Sequence, residues 1–107
     1  ISADGPSKEE LMREVKKGSF GAAEILGEKG DQSVVPDLIS ALQKERRKGD
    51  EANSQVKSAI IFALGRLKNP DAAEFLVSSL AGSDDFGVKD YARAALISIG
   101  NPAVQKI

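Results

Sequence analysis

Few residues in this chain could perform chemistry, and the absences are informative. None of the 107 residues is a cysteine or a histidine. That removes thiolate nucleophiles, disulfides, imidazole general bases and zinc sites built on either side chain. Carboxylates remain, but acid–base or metal work needs them to converge on one point. Asp84 and Asp85 are sequence neighbours, which turns their side chains apart, and acidic residues there read as a helix N-terminal signal. The residues therefore predict no catalytic group, no cofactor and no metal. What is left is contact chemistry. Lys44, Arg46, Arg47 and Lys48 form a basic run that could steer an acidic partner, interrupted by Glu45 and followed by Asp50 and Glu51. Cations also favour a helix C-terminus, so a solvated helix end is the simpler reading of that run.

The whole-chain balance points the same way. Fifteen basic and 16 acidic residues give a formal net charge of -1, which provides no strong field for nucleic acid or an anionic membrane. No apolar run approaches the roughly 18 residues that span a bilayer. The length suits one domain. The chain begins at Ile1 rather than Met, as a trimmed chain or one released from an export signal would. A cytoplasmic location is expected, with export the alternative if signal cleavage produced that start.

The elements that must position any contact residues are helical. Residues 1–6, with Gly5-Pro6, read as a frayed arm. Ser7-Lys8-Glu9-Glu10 has the capping-box form, and Leu11, Met12 and Val15 give the helix it opens an apolar edge that ends at Gly18. A second helix runs from Ser19 or Phe20 to about Lys29, with Ala22, Ala23 and Leu26 inward. Ser33 is read as the N-cap of a third, with Pro36 in its first turn and Val35, Leu38, Ile39 and Leu42 on one face. Val56, Ala59, Ile60, Ala63, Leu64 and Leu67 continue an i, i+3, i+4 stripe through a fourth. Asn69-Pro70 opens a fifth, lined by Ala73, Leu76, Val77 and Leu80, and a sixth lies within residues 84–99. Asn101-Pro102 repeats the cap, and residues 103–107 begin a further helix that stops short.

These helices repeat. Val56-Lys57 through Ala63-Leu64-Gly65-Arg66-Leu67 is matched in character by Val88-Lys89 through Ala95-Leu96-Ile97, and its second half by Ile25-Leu26-Gly27. Self-similarity at this period signals stacked supersecondary units. Leu26 and Leu64 lie 38 residues apart, Leu64 and Leu96 only 32. The excess of six residues is assigned to a loop around Gly49–Ser54, where an insertion is tolerated.

The copies resemble HEAT repeats, in particular the short HEAT-like repeats of phycobilin lyases, whose first helix reads Val-Arg-x-Ala-Ala-x-x-Ala-Leu-Gly. Val56-Lys57 and Val88-Lys89 take the Val-Arg place, Ala63-Leu64-Gly65 and Ile25-Leu26-Gly27 the Ala-Leu-Gly place, and the segment 34–42 looks like the family's second helix. Ile97 stands where that motif has glycine, and Gly18-Ser19 where it has Val-Lys. The resemblance implies an all-α solenoid of stacked antiparallel helix pairs. Residues 7–18 would be an N-terminal capping helix, 19–48 the first repeat, 49–55 an inserted loop, 56–81 the second repeat and 83–107 an incomplete third.

It also implies where a partner binds. HEAT-like solenoids use the concave surface lined by their second helices, which here would present Asp37, Ser40, Ala41 and Lys44, then Phe75, Ser78 and Ser79. Phe75 aligns with Asp37, so it is either a contact anchor at an otherwise wet position or a core residue packed near Ile107; apolar residues at helical spacing are usually core. Phe62 is expected beneath the first loop, with a contact on the convex surface as the alternative. Lys57 and Lys89 are expected to make the inter-repeat hydrogen bonds of the family's basic position.

The function implied is a non-enzymatic scaffold that binds another protein. A subunit of a phycobilin-lyase-like enzyme is the alternative, although no Cys or His is present to support a pigment site. Nucleic-acid binding would need a phosphate-neutralising stripe that the charge balance lacks. The short last helix predicts an apolar end around Leu80 and Leu96, covered by a second copy of the chain in a homodimer or by further repeats of a longer protein.

Overall fold

The computed structural model describes residues 6–82 and 85–100. Among them it holds six α-helices, three 3₁₀ turns and no strand: α1 (Lys8–Val15), α2 (Phe20–Lys29), α3 (Val35–Arg46), α4 (Ser54–Leu67), α5 (Ala73–Ala81) and α6 (Phe86–Ile99). The segment 101–107, with the second Asn-Pro cap, lies outside the described residues.

Four of the six helices, α1, α2, α4 and α6, begin where a short polar side chain accepts from free N–H groups of the first turn. Ser7 Oγ accepts from the Glu10 N–H at 3.1 Å and Ser19 Oγ from the Ala22 N–H at 3.1 Å. Asn53 Oδ1 accepts from Gln55 and Val56, and Asp85 Oδ1 from Val88. The expected cap at Ser33 is corrected. Asp31 fills that role, accepting from the Ser33 N–H at 2.9 Å, because a 3₁₀ turn, Gln32–Val34, precedes α3 and moves the start of the winding upstream. Asn69 likewise caps the 3₁₀ turn Pro70–Ala72 that leads into α5.

The molecule measures 44 × 31 × 19 Å. A thickness of 19 Å fits two helical layers at roughly 10 Å each. One layer holds α2, α4 and α6 side by side, and α1, α3 and α5 pack respectively on α2, α4 and α6. The backbone neighbour of each second-layer helix is thus the first-layer helix that follows it in the chain. Three hairpins result, α1–α2, α3–α4 and α5–α6, and α1 is the partner of α2 as well as the end of the row.

The first layer is held close by two glycines. A methyl group added at Gly27 would stand 2.2 Å from Arg66 Cβ, and one at Gly65 would stand 2.7 Å from both Cα and Cβ of Ala95. Real carbon contacts lie near 3.5–4.0 Å, so α2 crosses α4, and α4 crosses α6, at points where only a hydrogen fits. Ile97 occupies the aligned place on α6 and is 63% exposed.

The core follows from this arrangement. Leu26, Leu64 and Leu96 are each fully buried, with Leu38, Leu42, Ile60 and Leu76. The helix α4 lies between α2 and α6 and under α3, so Ile61, Ser58 and Gly65 are buried as well as its apolar stripe. Leu96, expected beside an open end, is enclosed, and Leu80 is half-buried. The large apolar side chains that α6 does expose are Phe86, Ile97 and, in part, Tyr91.

Phe62 is corrected too. Its ring clusters with those of Phe20 and Tyr91, 5.9 and 6.2 Å away, which themselves lie 5.1 Å apart, because it projects from α4 along the first layer, where α2 and α6 flank it.

Side chains tie neighbouring hairpins together. Gln32 Nε2 donates to the Leu67 carbonyl at 2.8 Å, Asn69 Nδ2 donates to Gln32 Oε1 at 2.9 Å, and Gln55 Nε2 donates to the Gly18 carbonyl at 3.0 Å. Lys57 is buried, where its charge acts on both Glu45 and Asp85.

Candidate functional site

The second-layer surface is where the sequence places a partner, and α3 carries most of it. Val35, Leu38 and Leu42 anchor α3 on the core, which leaves Asp37, Ser40 and Lys44 exposed on the opposite side and Ala41 half-buried. These four residues come together. With Lys16 from the C-terminal cap of α1 and Arg47 from that of α3 they line a groove of about 390 Å³. Lys16 Nζ donates to Asp37 Oδ2 at 3.0 Å across it. A smaller hollow of about 190 Å³ continues past Lys44 toward Lys48, with Val56 and Ile60 in its wall.

The three residues expected on α5 fare differently. Ser78 is exposed and Phe75 half-buried, and neither lines that groove. Ser79 is wholly buried. Its hydroxyl accepts from the Arg46 guanidinium and lies 3.4 Å from the Phe75 carbonyl, to which it donates. Arg46 donates to that same carbonyl at 3.4 Å. Ser79 is therefore removed from the contact surface: it is the point at which α3 grips α5.

The basic run is corrected for the same reason, since only part of it is a solvated helix end. Arg46 turns inward to α5, and Glu45 is buried. The Glu45 carboxylate accepts from the Asn53 N–H at 2.8 Å and from Lys48 Nζ at 3.0 Å, so it closes the turn between α3 and α4. Burial pushes its pKa up, but the Asn53 N–H, the Lys48 hydrogen bond and the charges of Lys48 and Lys57 outweigh that and hold it below the ordinary glutamate value. Asp85 is lowered chiefly by the Ser54 hydroxyl and next by the Val88 N–H.

Lys16 is the groove residue that sequence reasoning missed, while Arg47 was read only as part of the basic run. Lys16 belongs to a helix read only as a cap, and its place opposite Asp37 depends on how α1 lies beside α3. No three carboxylates among the described residues converge as a metal site would require. No described helix is long and apolar enough to cross a membrane.

The family model for HEAT repeats matches residues 19–97. The chain belongs to the HEAT-repeat family. It is also 34% identical over 82 residues to the bilin biosynthesis protein PecE of Mastigocladus laminosus. That match covers 77% of this chain and 30% of the relative, so the chain corresponds to less than a third of that protein's length. No solved structure matches it. As a HEAT-repeat protein its Ala-Leu-Gly motif has a clear physical content here: the leucine fills the core of its own hairpin, and the glycine admits the next first-layer helix.

Proposed function

We propose that this HEAT-repeat chain is a non-enzymatic scaffold that binds another protein on the surface formed by α3 and α5. The observation that carries this reading is the groove beside α3, where Asp37, Ser40, Ala41 and Lys44 converge with Lys16 and Arg47 on a face not spent on the core. Phe75 and Ser78 extend the same surface on α5. A protein partner suits it better than nucleic acid, because Asp37 and Glu45 interrupt the cations and the chain as a whole is slightly acidic. The test is affinity capture with the wild-type chain, Phe75→Ala and Lys44→Glu in parallel. The reading requires that at least one variant lose partners; retention of every partner at full affinity by both would overturn it.

A second reading takes its support from the relative named as a bilin biosynthesis protein. On it, this chain works as part of a bilin-handling assembly, and the α3–α5 surface meets the other components. Mixing the chain with a free bilin and following the visible absorbance tests direct pigment contact. An unchanged spectrum would leave only the protein-contact part of that reading.

A further inference from the structure

We infer that the groove between α1 and α3 receives an acidic segment of the partner protein, in extended form; this deepens the scaffold reading and rests on it. Four cations face the groove and its continuation: Lys16 from the C-terminal cap of α1, and Lys44, Arg47 and Lys48 from α3 and its C-terminal end. Two carboxylates face them. Both are already engaged, Asp37 by Lys16 at 3.0 Å, and Glu45 by Lys48 at 3.0 Å and the Asn53 N–H at 2.8 Å. Lys44 and Arg47 are exposed and have no carboxylate within ion-pair distance among the described residues. The surplus of positive charge is local, since the whole chain carries -1.

The neighbouring hollow along α1 adds Lys8 and Arg13 but also Glu9, and Lys8 is paired with Asp31 at 3.5 Å, so the surplus of positive charge is centred on Lys44 and Arg47. Val56 and Ile60, both buried, and the half-buried Ala41 give the groove's continuation an apolar wall, against which side-chain stems and backbone can lie. From Asp37 to Arg47 α3 rises about 15 Å, the span of about five extended residues. A stretch with two or three Asp or Glu residues in five can therefore reach Lys16, Lys44 and Arg47 together. A continuous phosphodiester backbone fits less well, because its charge is unbroken where it passes the exposed carboxylate of Asp37, whereas a peptide can place an uncharged residue there.

The test needs no natural partner. A fluorescent peptide of about eight residues alternating Glu and Gly, and its Gln counterpart, are titrated against the wild-type chain and against the double variant Lys44→Glu, Arg47→Glu. Lys29→Glu with Lys68→Glu, the same charge change on exposed residues elsewhere, is the control. The Glu peptide should bind the wild type and the control alike and bind the groove variant about tenfold more weakly, as expected for two exposed charge pairs reversed. Raising the salt from about 0.1 M to about 1 M, which shortens the screening length from about 10 Å to about 3 Å, should release it. Equal binding of the Glu and Gln peptides, no binding of either, equal loss in the control variant, or tighter binding of single-stranded DNA than of the Glu peptide would each overturn the inference. Failure here with partner capture still sensitive to Phe75→Ala would leave the scaffold reading in place and remove only the acidic segment.

Discussion

Replacing Gly65 by alanine adds one methyl group at the point where α4 crosses α6. The new carbon would stand 2.7 Å from both Cα and Cβ of Ala95, about 1 Å inside normal contact. The atoms it meets are the backbone and first side-chain carbon of a helix, so relief requires α6 to move. Overpacking of this kind costs roughly 1–3 kcal/mol, while the exchange of glycine for alanine within a helix returns about 1 kcal/mol. The expected outcome is a net loss of about 1 kcal/mol, or roughly 4–8 °C in Tm for a domain of this size. Gly21 provides the internal comparison. It too is helical, but a methyl group there meets only the Ser19 hydroxyl, at 4.0 Å, so Gly21→Ala should stabilise by about 0.5–1 kcal/mol. Urea unfolding followed by circular dichroism gives both values on one scale. The two substitutions should shift the midpoint in opposite directions. An increase for Gly65→Ala equal to that for Gly21→Ala would refute the close crossing of α4 and α6.

Three further outcomes follow from the same structure. Leu64→Ala, at a fully buried site in the central helix, should cost about 2–5 kcal/mol; an unchanged urea midpoint would contradict its place in the core. Ser79→Ala should cost about 1–2 kcal/mol through loss of the buried bonds to Arg46 and Phe75, whereas a surface serine would leave the midpoint where it was. The folded-state pKa values of Glu45 and Asp85 lie below their ordinary values, so the unfolded chain binds more protons as the pH falls. Their stabilisation is complete above about pH 5 and is lost progressively as acidification carries the solution through the ordinary carboxylate range toward their lowered folded values. Glu45→Gln should accordingly lower stability at neutral pH and lose less than the wild type between about pH 5 and about pH 3, which urea midpoints across that range will show.

The helical stack was legible in the sequence because burial of leucine and alanine at helical spacing leaves a periodic trace. Leu26, Leu64 and Leu96 could be placed in the core without coordinates, and the span of α2 read off its caps. The same periodicity could not say which second-layer helix neighbours which first-layer one, since α3 suits either α2 or α4 by pattern alone. Ser79 was misplaced because its fate is decided by Arg46, 33 residues earlier, arriving from another hairpin. Glu45 was read as solvated because a charged run normally is; only the fold of the turn reveals that the Asn53 N–H and Lys48 compensate its burial. Lys16 joined the groove for a reason invisible in one dimension, the lie of α1 beside α3. The outward residues of α3 were legible because outward positions on an amphipathic helix are fixed once its buried face is known.

The most direct test of the central claim, that partners meet the α3–α5 surface, uses the absence of native cysteine. Single cysteines are introduced at Ser40 and Ser78 on the second layer and at Glu24 and Ala94 on the first, all exposed positions, and thiol labelling rates are measured with and without a captured partner. Slower labelling at Ser40→Cys and Ser78→Cys, with unchanged rates at Glu24→Cys and Ala94→Cys, is the predicted result. Protection confined to the first-layer pair would contradict the account.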